Sequence, residues 1–174
     1  MKKIELIWNI VYYFVWKFDY KAHLFFNKIN PFMLLHKLPF QRRMYERKGI
    51  NIYNEINYAF KNPRYGLSIM RSGSFMFILS MLIGLEVFCI IQSIYAKKYL
   101  STYVFIISAL PFIVFTYFLL IYKDKYLIYF KEFEVKSKAW KTKWGFISFG
   151  IVLTIILLVF ICFKIMDYSL NPHY

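Results

Sequence analysis

The side chains able to do chemistry are few and scattered. His23 and His36 stand thirteen residues apart and His173 lies near the opposite end of the chain, whereas zinc sites draw on closely spaced pairs of ligands. All three are read as polar groups at an interface, and no metal is expected. Cys89 and Cys162 each fall inside a long apolar run without a partner at ligand spacing, which makes them small apolar side chains rather than a disulfide or a metal pair. There is no glycine-rich phosphate loop, no His-Glu-x-x-His and no nucleophile elbow. The reading is therefore non-enzymatic, with no catalytic residue and no cofactor.

One constellation remains. Glu86 is the one acid, and there is no basic residue, in the run from Ser74 to Tyr95, SFMFILSMLIGLEVFCIIQSIY. If the apolar runs of the chain are centred near residues 84, 112 and 155, then Glu86, Pro111 and Thr154 share a depth. Pro111 has no amide proton for the carbonyl of Ile107, leaving an acceptor that a protonated Glu86, Ser108 or a water can satisfy. A charged acid at the centre of a bilayer costs about 2.5–3.5 kcal/mol even on lenient insertion scales, so Glu86 is expected to be neutral or turned to a polar interior. Glu86, Ser108, Pro111 and Thr154 are the candidate intramembrane polar site. Its two readings are hydrogen-bond glue between helices and a proton or cation site.

The elements that must position these residues are helices in a membrane. The chain has 174 residues, of which 60% are hydrophobic and 23% aromatic, too apolar for an ordinary soluble domain. Three runs reach the roughly 20 residues needed to cross a bilayer, at about 74–95, 102–122 and 144–166. The fold class expected is an all-α integral membrane protein, with three transmembrane helices preceded by a cytoplasmic, interfacial platform of short amphipathic helices over residues 1–73. A basic connection, 123–143, continues the second span as an amphipathic extension, and residues 167–174 form a short external tail.

Small residues suggest how the spans pack. Gly73, Ser80 and Gly84 share one narrow face of the first span, while Glu86, Cys89 and Ser93 lie nearly opposite. Small faces let helix backbones approach closely. One face is expected to be met within the chain and the other by a second subunit; Gly150 with Thr154 offers a similar edge on the third span.

Within the platform, residues 4–18 place Ile4, Ile7, Trp8, Val11, Phe14, Val15 and Phe18 on one face and Glu5, Asn9, Tyr12 and Trp16 on the other. An aromatic-rich polar face and a length of about 15 residues predict a helix lying in the membrane plane. Glu5, Asn9, the bulky aromatics that follow and the lack of a small-x-small site argue against a cleaved leader. Pro31 and Pro39 break the pattern and leave a short helix over Phe32–Leu38. Arg42, Arg43, Arg47 and Lys48 then form a compact basic cluster suited to anionic lipid headgroups. A helix follows over residues 52–60, capped by Asn51 and stopped at Asn62-Pro63.

The net charge of +14 is assigned to topology rather than to nucleic acid, because the basic residues flank the apolar runs. Residues 1–73 and 123–143 together hold 20 Lys and Arg, against 3 on the other side. By the positive-inside rule the N-terminus is cytoplasmic and the C-terminus external, in a membrane of the bacterial inner type. The functional expectation is a subunit or anchor of a larger membrane assembly, with anionic lipid and other membrane subunits or further copies as partners. A small oligomeric ion or proton transporter using Glu86, or a small immunity or defence membrane protein, are the alternatives.

Overall fold

The computed structural model describes residues 2–36, 38–95 and 102–170, so the connection between the first two runs, His173 and the last four residues of the expected tail lie outside the described residues. All regular structure in those residues is helical, with no strand. The order is α1 (Lys2–Ile29), α2 (Pro31–Leu35), α3 (Pro39–Arg47), α4 (Ile52–Lys61), α5 (Leu67–Ile94), α6 (Thr102–Thr116), a π-helical turn (Tyr117–Ile121), a 3₁₀ turn (Tyr122–Asp124), α7 (Lys125–Glu134) and α8 (Lys138–Leu170). Three stretches, Leu67–Ile94, Tyr103–Leu120 and Lys138–Ser169, are long and apolar enough to cross a membrane. They match the three expected runs but start earlier at the first and third.

The chain divides into two compact units. One comprises Met1–Tyr13 with Ser74–Tyr174; the other is Phe14–Gly73. The first thirteen residues thus group with the apolar helices rather than with the platform that 1–73 was expected to form.

In the first unit the core lies between α1, α5, α6 and α7. Ile10, Val11, Tyr12 and Tyr13 of α1, Met76 and Leu79 of α5, Leu119 and Leu120 of the π-turn and Phe130 and Phe133 of α7 are buried. α5 and α6 meet at glycine: a Cβ on Gly84 would run into the Cα of Ala109 and come within 2.7 Å of its Cβ. Only a residue without a side chain allows that approach. α8 turns Ser148, Ile155 and Cys162 inward at seven-residue spacing, the period that keeps one stripe on a neighbouring helix. Its opposite side is bare, and just 17% of its most apolar stretch is buried.

The second apolar run does not continue smoothly into α7. Its helix widens into the π-turn, and Lys123 and Asp124 then adopt left-handed backbone angles, φ 58° and 52°. Neither is glycine, so each conformation carries a cost of about 1–2 kcal/mol that neighbouring contacts must offset.

The second unit is built from short elements. α1 does not stop near Asp19 but runs to Ile29, where Asn30-Pro31 ends it because Pro31 cannot supply the next amide. α2 covers Pro31–Leu35 rather than Phe32–Leu38, and α3 starts with Pro39 in its first turn, where a missing amide is harmless. Asn51 caps α4 by accepting from the Asn54 amide at 3.2 Å, and Asn62 closes it. The turn into α5 then depends on Gly66, whose Cβ would collide with the Asn62 carbonyl and sit 2.8 Å from that of Phe60. Neither α3 nor α4 buries a single residue.

Candidate functional site

The densest set of polar contacts in the first unit forms where α1 meets the break between α6 and α7. Asn9 is wholly buried, and its side-chain amide donates both protons, to the Glu5 carbonyl at 2.8 Å and to the Leu119 carbonyl at 3.1 Å. The wider π-turn disturbs the regular ladder of backbone bonds, and the Asn9 amide answers one carbonyl within it. One helical position earlier, the Trp8 indole donates to the Thr116 hydroxyl at 3.1 Å. The Thr116 and Ser80 oxygens are 2.6 Å apart, and the Ser80 hydroxyl donates to the Met76 carbonyl at 2.9 Å. Donor and acceptor roles then run in one direction, from Trp8 to Thr116 to Ser80 to Met76, tying three helices with every proton placed.

At the outer end of the same seam Glu5 takes two partners. Its carboxylate pairs with the Lys125 ammonium at 3.0 Å and accepts from the Tyr129 hydroxyl at 3.1 Å. Lys125 directly follows the two left-handed residues, so this contact anchors the start of α7. Burial, and then the adjoining Glu5 carboxylate, push the Tyr129 hydroxyl above the usual phenol range. Tyr12 is pushed up by burial and then by Tyr126, and Tyr13 by burial and then by Glu134. All three remain protonated donors near neutrality. Their rings pack on α7: Tyr12 lies 5.3 Å from Phe130 between centroids, and Tyr13 is edge-on to Phe130 and Phe133 at 5.3 and 5.6 Å.

The face read as polar from the helical wheel is therefore the inward one. Asn9, Tyr12 and Trp16 are 0, 3 and 4% exposed, while Ile4, Ile7 and Phe18 on the nominally apolar face are 54, 39 and 75% exposed. An averaged wheel ranks faces by polarity, but the Asn9 amide protons both find carbonyls when buried, one of them remote, although its Oδ1 is left without a partner. A local signal existed in the Glu5–Asn9 pair one turn apart and in Thr116 within an apolar run.

The expected mid-helix site is not assembled. Ser108 is buried, but its hydroxyl donates to the Phe105 carbonyl at 2.8 Å, so it does not answer Ile107. Pro111 and Thr154 are exposed on the outside of their helices. Glu86 is half-buried, and its Oε1 is enclosed without a hydrogen-bond partner. Equal depth brought these residues level without turning them towards one another, since a helix face is set by the contacts of its neighbours.

The packing residues separate likewise. Ser80 and Gly84 meet Thr116 and Ala109 of α6, while on the other face Cys89 is buried and Glu86 half-buried. Gly73 is half-buried and belongs to the second unit. The open small-residue edge is on α8, where a Cβ on Gly150 would meet nothing within 4 Å. In the second unit Arg42, Arg43, Arg47 and Lys48 are all exposed along α3, with Arg42 bonded to Glu46 one turn on at 2.8 Å. His23 stacks flat on Phe60, centroids 3.5 Å apart, and burial with the nearby Arg71 charge lowers its pKa from the ordinary 6.5.

No protein-family model, curated protein or solved structure matches the chain.

Proposed function

We propose that the chain is a non-enzymatic integral membrane subunit or anchor, and that α8 is the helix through which it joins a larger assembly. The uncovered edge at Gly150 and Thr154 carries this reading. Within the chain, the same kind of small-residue surface at Gly84 is used for a backbone-close helix contact; at Gly150 that capacity is unspent. Without a hydrophobic drive between helices in lipid, close backbone approach is a main source of association. The distribution of 20 Lys and Arg against 3 supports a cytoplasmic N-terminus and an external C-terminus. The basic helix α3 then lies on the side where anionic headgroups attract it.

Purification in mild detergent with native mass measurement tests the assignment. A larger species, whether with other subunits or further copies, is expected, and Gly150→Leu should reduce it to the single chain while leaving helix content unchanged. A monodisperse monomer from the unmodified protein, recovering no partner, would sink the reading.

The enclosed, unpartnered Oε1 of Glu86 favours a second reading, an oligomeric proton or cation path. In that case Glu86→Gln abolishes flux in reconstituted vesicles with assembly intact; unchanged flux removes it.

A further inference from the structure

α1 carries a second surface that its packing does not use. From Phe18 to its end the helix has two unlike sides. One side is engaged within the second unit: Asp19 pairs with Arg71 at 2.9 Å, and His23 stacks on Phe60. The other presents Phe18, Phe25 and Ile29, at seven- and eleven-residue spacing and hence stacked within one quadrant of the helix, with Phe26 beside them. They are 75, 60, 67 and 66% exposed in that order. Single exposed apolar side chains are ordinary, but four bulky ones in a continuous row mark an interaction surface. Lys21 and Lys28, again seven apart, run along one flank of the row and are both exposed.

We propose that Phe18, Phe25, Phe26 and Ile29 form a lipid-inserting stripe that lays the second half of α1 in the plane of an anionic bilayer, with Lys21 and Lys28 reaching its headgroups. This rests on the reading that the apolar helices lie in a membrane. Three observations select lipid as the occupant. Phenylalanine and isoleucine with flanking lysines are the composition by which amphipathic helices enter the headgroup boundary, lysine extending its ammonium to the polar layer while its stem covers apolar surface. The unit Phe14–Gly73 carries eleven Lys and Arg against three acids, a charge that repels a second copy of itself and suits an anionic surface. α5 is one unbroken helix that starts in this unit and contains an apolar stretch able to cross the bilayer, so covalent continuity holds the unit at the membrane surface. The in-plane segment is thus Phe18–Ile29, downstream of the buried Asn9–Trp16 face.

Spin labels on the full chain test this. Phe25→Cys and Ile29→Cys, each in a Cys89→Ser, Cys162→Ser background, are reconstituted into phosphatidylcholine vesicles with and without phosphatidylglycerol. A control label replaces Phe149, which is 67% exposed on α8. The expected result is that both stripe labels are relaxed by dissolved oxygen far more than by a water-soluble nickel chelate. Lys21→Gln and Lys28→Gln should each lower the ratio of immersed to exposed label about fivefold on the anionic vesicles alone. Stripe labels open to the chelate, with the control shielded from it, would overturn the stripe and leave the membrane reading standing. Labels shielded from both reagents would also overturn it, assigning the surface to protein; dipolar broadening between labels would identify a second copy. A control open to the chelate would remove the membrane reading and the stripe with it.

Discussion

The two units spend similar side chains in opposite ways. In the first, buried and half-buried polar groups are joined across helices distant in sequence: Trp8 to Thr116, Asn9 to Leu119, Glu5 to Lys125. In the second, most polar contacts are local and exposed: Arg42 to Glu46 one turn on, Asn51 capping its own helix, Tyr58 to Tyr65. The first unit closes around the seam between α1, α5, α6 and α7, and leaves one side of α8 bare. In the second, α3 and α4 bury nothing and α1 leaves a row of phenylalanines bare. The first unit is pinned by polar contacts between distant helices, and the second by contacts a few residues apart.

Gly84→Ala should break this contrast most sharply. The added methyl meets the backbone of Ala109, which cannot rotate aside, so α5 and α6 must separate at a cost of about 1–3 kcal/mol. Thermal unfolding in detergent, with probes in both units, would check it: loss of the first unit is expected. An unchanged midpoint would mean that the seam is not closed at Gly84.

Asn9→Leu comes next. It keeps a branched side chain, somewhat larger, but removes the donor to the Leu119 carbonyl, worth about 1–2 kcal/mol. Hydrogen exchange should rise in the π-turn and at the start of α7 but not in α3 or α4. Uniform protection would sever the link between Asn9 and the break.

The smallest effect belongs to the second unit and to pH. His23 has a pKa below 6.5 in the folded protein, so below that pH the unfolded chain binds a proton that the native state resists. Stability is complete above 6.5 and falls as pH drops through the window between the two values. Because the imidazole is partly solvated, the loss should be slight and seen as faster exchange in α4 between pH 7 and 5. His23→Phe should remove the dependence while keeping the stack on Phe60; persistence of the dependence would assign it to another group.

Some of this was legible in residue order alone. Asn51 as a cap, the stop at Asn62-Pro63 and the three apolar runs depend on neighbours within a few residues, and the structure has them where periodicity and caps predict. The helix expected over residues 4–18 runs on to Ile29, because an amphipathic pattern marks a face and not an end; Pro31 physically stops it. The mid-helix grouping failed at Thr154 and Pro111, since depth is a property of length but direction is not.

Composition and order by themselves determined that the chain is helical, that three stretches have the length and apolarity to cross a membrane, and where charge concentrates. These are sums over consecutive residues. Tertiary structure alone decided that the Asn9–Trp16 face turns inward and that Gly84 is occupied while Gly150 is open. Each of those depends on a partner at least 25 residues away in the chain or on the lack of one, and local pattern carries no information about which distant group completes a hydrogen bond or fills the space above a glycine.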